Sequence, residues 1–108
     1  MPIIPSGKVA TSWSVYFVRT RFNALYCGIS NDVERRFALH QAGRGAKALR
    51  GKMPLQLVWQ YHVGSRSLAA RVEYALKQLP KSTKEQLILG HRKIHIDHTN
   101  SVQIMLSI

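Results

Sequence analysis

The chain has 108 residues, 16 Lys and Arg against 5 Asp and Glu, and a formal net charge of +11, the dimensions of one strongly basic domain. With 45% hydrophobic residues it can fill one ordinary core, which excludes a disordered basic tail. No window approaches the ~20 apolar residues of a membrane span, and the opening MPIIPSGK lacks the charged-then-apolar order of a signal peptide. A single cysteine, Cys27, allows neither an internal disulfide nor a thiolate zinc site, so a soluble cytoplasmic protein is expected, nucleoid-associated if bacterial. The charge favours a polyanionic partner, nucleic acid first, because cations release condensed counterions whatever the fold that carries them.

Residues 1–12 hold two prolines and a glycine and read as a loose arm. From Trp13 the pattern alternates through Val15 and Phe17, and after the polar stretch Thr20–Ala24 a second run, Leu25–Ile29, is again rich in strand formers. The pair predicts a hairpin that brings Tyr16 near Tyr26, with the register left open by the loop. Asn31 as cap with Glu34 three residues on predicts a helix to about Ala42, stopped by Gly43. Val33 and Phe37 form its apolar stripe, and Arg36 and His40 stand one above the other on an adjacent face. The stretch 44–52 places Arg44, Lys47, Arg50 and Lys52 among glycines, as suits a phosphate-facing loop or short helix.

Leu55–Val63 alternates as a third strand, with Leu55, Leu57, Trp59, Tyr61 and Val63 on one side. Ser65 or Ser67 starts a helix with Leu68, Val72, Leu76 and Leu79 at helical spacing until Pro80, and Glu73 lies off that stripe. Ser82–Glu85 repeats the capping-box pattern before a last short helix closed by Gly90. Beyond it, the alternation of Ile94/Ile96 and Val102/Ile104/Leu106 fits either a terminal hairpin or a tail held by a partner. The expected organisation is therefore an arm at 1–12, a domain at 13–90 and an extension of unassigned role at 91–108.

Two strand tyrosines, an Arg and a His on one helix face, and an isolated Glu on a later helix resemble the GIY-YIG nuclease family. The half-motifs stand as Ser14-Val15-Tyr16 and Tyr26-Cys27-Gly28, the helix signature as Asn31 to His40, and the acid as Glu73 within Ala70-Arg71-Val72-Glu73. The similarity spans about residues 13–88. The run Gly43-Arg44-Gly45-Ala46-Lys47, with Arg50-Gly51 and Pro54, is similar to small stand-alone bacterial members of the YhbQ type, and the whole resembles catalytic subunits of structure-specific endonucleases. Gly and Ile of the first half-motif are replaced by Ser14 and Val15, and Ile of the second by Cys27.

The resemblance implies an α+β fold, a small antiparallel three-stranded sheet flanked by helices in β-β-α-α-β-α order. It implies a divalent-metal-dependent DNA endonuclease, structure-directed or weakly sequence-specific, acting in repair or recombination. Tyr16, Tyr26, Arg36, His40 and Glu73 would be its catalytic residues, with Glu73 holding Mg²⁺ or Mn²⁺. Arg35, Arg44, Lys47, Arg50 and Lys52 would bind DNA, and a protein partner is expected to supply specificity if one is needed.

The chemistry supports these residue types independently. Phosphodiester hydrolysis needs an activated water, charge on the phosphoryl oxygens and help for the leaving oxygen. One carboxylate suffices for Mg²⁺, which completes its octahedron with water and substrate oxygens, and Arg36 offers a planar fork to phosphate. Each residue also has a plainer reading: tyrosines as packing, Arg35 as a solvated cation, Cys27 as filler, and Glu73 as the i,i+4 partner of Lys77. His91, His95, Asp97 and His98 read as a metal cluster or an exposed tail. A non-catalytic nucleic-acid-binding module of the same fold is the alternative function, and an adaptor donating residues 91–108 as a strand is a third.

Overall fold

The computed structural model describes residues 12–107, so the expected arm lies, except for Ser12, outside the described residues. Strands β1 (Trp13–Arg19), β2 (Leu25–Ser30) and β3 (Gln56–Gly64) form an antiparallel sheet in the order β2-β1-β3. Helix α1 (Val33–Gln41) follows the hairpin, and α2 (Arg66–Lys77) and α3 (Lys81–Leu89) follow β3. A two-stranded sheet of β4 (Arg92–Ile96) and β5 (Val102–Leu106) completes the described chain. The class is α+β as expected, but the order is β-β-α-β-α-α-β-β. The stretch 44–52 makes only a 3₁₀ turn at Lys47–Leu49, between Gly43 and Gly51 with φ of +74° and +75°, so the second helix expected before β3 is missing.

The central strand explains the layering. Val15, Tyr16, Phe17 and Val18 are consecutive and all buried, because alternate side chains of β1 enter opposite faces of the sheet. Val15 and Phe17 pack with Cys27, Val72, Leu76, Leu87 and Ile94 on the face covered by α2, α3 and the β4–β5 hairpin. Tyr16 and Val18 pack with Val33, Leu49 and Leu55 on the face covered by α1 and the loop after it. Ile96, Val102 and Ile104 lie against the first cluster, so of the two expectations for the terminal segment, a hairpin or a tail held by a partner, it is the hairpin that forms, docked on the chain's own core.

Three local expectations are corrected. The α1 cap is Asp32, not Asn31: its carboxylate accepts the Arg35 N–H at 3.2 Å. The capping box at Ser82 does not form, since α3 begins at Lys81 behind Pro80, and Glu85 instead accepts a two-pronged bond from Arg19 at 2.7 and 2.8 Å. The Leu55–Val63 stripe changes face within β3, where the pairing with β1 shifts between Phe17 and Val18. Leu57 joins the Tyr16 cluster, while Val58, Trp59, Tyr61 and Val63 pack on the other, a bulge that the unbroken apolar run Leu57-Val58-Trp59 conceals.

Candidate active site

Register decides whether the two tyrosines meet. In the β1–β2 ladder Tyr16 opposes Gly28 and Val18 opposes Tyr26, so the tyrosines are diagonal neighbours on one face, with ring centroids 6.4 Å apart. Gly28 makes room for this: a Cβ there would lie 2.7 Å from Tyr16 Oη and 3.0 Å from Tyr26 Cε2. His40 closes a triangle of rings, 6.0 Å from Tyr16 and 5.5 Å from Tyr26. It is 1% exposed, buried rather than standing at the helix surface.

Two hydrogen bonds hold the imidazole. The Ala46 N–H donates to His40 Nδ1 at 3.1 Å, and Nε2 lies 2.8 Å from Tyr16 Oη. A nitrogen that accepts carries no proton, so the neutral ring is the Nε2–H tautomer and donates to the Tyr16 oxygen. The Tyr16 hydroxyl proton is thereby left for a third party. Gly45 permits the approach of the loop, because a Cβ at that position would overlap His40 Nδ1.

Burial, helped by Tyr26, pushes the Tyr16 phenol up to about 12, while the Arg36 guanidinium facing it pulls the other way. The Tyr26 hydroxyl is likewise raised by burial and drawn back by Arg36. The His40 pKa is lowered, by burial first and then by Arg36, which keeps the ring neutral at physiological pH. Arg36 therefore acts electrostatically on all three rings. Glu73 approaches from α2, which packs on β1 and on the edge strand β2, and its charge is felt by Tyr26 and Cys27. The carboxylate is partly exposed and pairs with Lys77 at 3.3 Å. Cys27 is buried with its thiol pushed up to about 12, mainly by desolvation, so it is inert packing.

A family model described as the GIY-YIG catalytic domain matches residues 12–86. The chain belongs to the GIY-YIG family. It is 58% identical over 78 residues to the UPF0213 protein YhbQ of Escherichia coli K12, covering 72% of this chain and 78% of that one. A UPF0213 protein of Vibrio parahaemolyticus is 52% identical over 97 residues, 90% of this chain and 92% of its own. A UPF0213 protein of Bacillus halodurans, solved by solution NMR, is 37% identical with a TM-score of 0.48, covering 72% of this chain and 83% of that one.

Within the GIY-YIG fold, Tyr16, Tyr26, Arg36 and His40 gather on one face of the sheet, and Glu73 comes from α2, which covers the other. Arg35, Arg44, Lys47, Arg50 and Lys52 are all exposed, and among the described residues none of them forms an ion pair. The basic loop is anchored from below. Leu49 is buried, Gln41 exchanges two side-chain hydrogen bonds with the Leu55 backbone, and the Lys52 carbonyl accepts from the Arg21 N–H. Sequence reasoning missed the Ala46 N–H and Gln41; only Gly45, beside Ala46, hinted at a close backbone approach. Asp97 is spent on its own turn, where it accepts from Thr99 and Ser101, and no metal-binding cluster of three or more His, Cys, Asp or Glu exists among the described residues.

Proposed function

We propose that this protein is a divalent-metal-dependent endonuclease that hydrolyses phosphodiester bonds in DNA, structure-directed or weakly sequence-specific, and serving repair or recombination. The observation that carries the reading is the buried Tyr16–His40 hydrogen bond, with Tyr26 and Arg36 gathered around it. A strand tyrosine that only packs does not require a helix histidine, a glycine-lined loop and an arginine aimed at its hydroxyl.

The donor set fits Mg²⁺ or Mn²⁺ held through few protein ligands: Glu73 offers one hard, partly exposed carboxylate, with Lys77 as its present counter-charge. Bound there, the cation would supply Lewis-acid charge to the phosphoryl oxygens. The remaining steps belong to the side chains. His40 Nε2–H and the Arg36 charge both favour the Tyr16 phenolate, whereas burial opposes it and keeps the free protein's hydroxyl protonated. With its oxygen held by His40, Tyr16 presents its own O–H toward substrate, and Oη takes the nucleophilic water's proton as that O–H proton passes to a phosphoryl oxygen, which leaves the phenol as it began. Arg36 supplies the fixed fork for the phosphoryl oxygens, and Tyr26 orients them. The exposed cations of the 44–52 loop and Arg35 bind neighbouring phosphates, and a protein partner would add specificity.

The test is a panel of single-stranded, duplex, flap and four-way-junction DNA, incubated with Mg²⁺, Mn²⁺ or chelator. Cleavage in metal alone is expected, abolished by Glu73→Gln while affinity in chelator is kept or slightly raised, since one negative charge leaves an anion-binding surface. Wild-type protein that binds the panel and cuts none of it under either metal would replace this reading with the non-catalytic binding module.

A further inference from the structure

Trp13 opens β1 and Arg66 opens α2, and the fold brings both beside Arg36. A groove of about 330 Å³ runs from the end of β2 across α1, with Arg35, Arg36 and Leu39 on one wall and Trp13 and Arg66 on the other. The Arg66 guanidinium lies over the Trp13 ring, 5.1 Å from its centroid. A guanidinium held over a ring in this way can still direct N–H donors at a phosphate. Arg36 is common to the groove and to the tyrosine cluster, so the groove continues the site outward.

The charges are arranged against folding. Arg66 is the first residue of α2, at the positive end of the helix dipole, and no acidic residue lies in that first turn. Three guanidinium groups share the groove, and Asp32, its one carboxylate, is occupied in capping α1. A like-charged cluster at an unfavourable helix end is repelled in the free protein and relieved by an anion. The aromatic ring beside it adds a flat apolar surface that a phosphate alone would not need.

We propose that this groove is a subsite for the nucleotide next to the scissile phosphate. Arg66 and Arg35 take its phosphate, and its nucleoside lies along Trp13 and Leu39. The inference rests on the nuclease reading and deepens it, by assigning Arg66 and Trp13 to substrate binding and giving the polynucleotide its direction of exit past Arg36.

Thymidine 3′,5′-bisphosphate, titrated in EDTA into ¹⁵N-labelled protein, tests this without turnover. The indole N–H resonance of Trp13 is expected to move, while that of Trp59, packed between Phe17 and Tyr61, stays nearly still. Arg66→Gln should weaken binding about tenfold, the loss of one charge-assisted contact, whereas Lys93→Gln, which removes an equal charge from an exposed position of β4, should not. Inorganic phosphate should bind more weakly than the nucleotide. The proposal is overturned if the nucleotide shifts only residues of the 44–52 loop, if Arg66→Gln and Lys93→Gln bind it alike, or if inorganic phosphate matches its affinity. Trp13 shifts in a protein that cuts no DNA would refute the nuclease and leave the groove standing. DNA cleavage unaffected by Arg66→Gln, with a silent Trp13, would do the reverse.

Discussion

Replacing Gly28 with alanine adds one methyl group at the point where the two tyrosines cross. The new Cβ would lie 2.7 Å from Tyr16 Oη, 2.9 Å from Tyr16 Cζ and 3.0 Å from Tyr26 Cε2. Tyr16 cannot swing away, because its side chain is 1% exposed and its hydroxyl is tied to His40 at 2.8 Å. Overpacking of this kind costs about 1–3 kcal/mol. In a domain of this size each kcal/mol lowers Tm by about 4–8 °C. Urea unfolding at pH 7.5 should therefore show a lower midpoint with an unchanged slope, the pattern of lost stability without a changed denatured state. Cleavage, measured well below the new Tm, should fall more than the unfolded fraction accounts for, since the displaced atom is the Tyr16 oxygen itself. An alanine variant with the wild-type midpoint and the wild-type rate would refute the claim that Gly28 exists to seat Tyr16.

Other outcomes follow from the same geometry. The His40 pKa is lowered in the folded state, so its neutral burial contributes fully above the unfolded value near 6.5, and stability should fall as pH drops below that value; thermal melts from pH 7.5 to 5 should show this slope, and His40→Gln should flatten it. Arg36→Ala should impair cleavage far more than DNA affinity, whereas exposed Arg35→Ala should mainly weaken binding; interchangeable variants would misplace the face of α1. Affinity for DNA should fall steeply with salt, and neutralising Lys47 and Arg50 together should reduce the magnitude of the log–log slope by about two.

What the sequence revealed and what it hid divide along a physical line. Both strands of the hairpin, the α1 signature and the third strand are visible because each is set by local periodicity and capping chemistry. The register was not, because it depends on how Thr20–Ala24 closes: Asn23 takes φ of +64° and the Thr20 hydroxyl accepts from Phe22 and Ala24. Asn31 and Asp32 are both competent caps, and only the start of the helix chooses between them. Glu85 looked like a cap because its true partner, Arg19, is 66 residues away. The burial of His40 was hidden for the same reason, since its partners are a strand hydroxyl and a backbone N–H, and a backbone N–H leaves no mark on residue type.

The central strand makes stability and chemistry inseparable in this fold. A strand buried on both faces can hold an apolar side chain at every position, and Val15, Phe17 and Val18 do so. Tyr16 and His40 instead place two polar groups where desolvation penalises each of them, offset by the bond between them and the Ala46 N–H. With every buried side-chain nitrogen and oxygen among the described residues satisfied, the network is complete, and rigid for that reason. Rigidity suits the role proposed for Tyr16, because an oxygen held by a fixed donor does not reorganise when charge develops on it. The basic loop is joined to the same network through Ala46, so the backbone that carries its exposed cations is tied to the histidine that holds Tyr16.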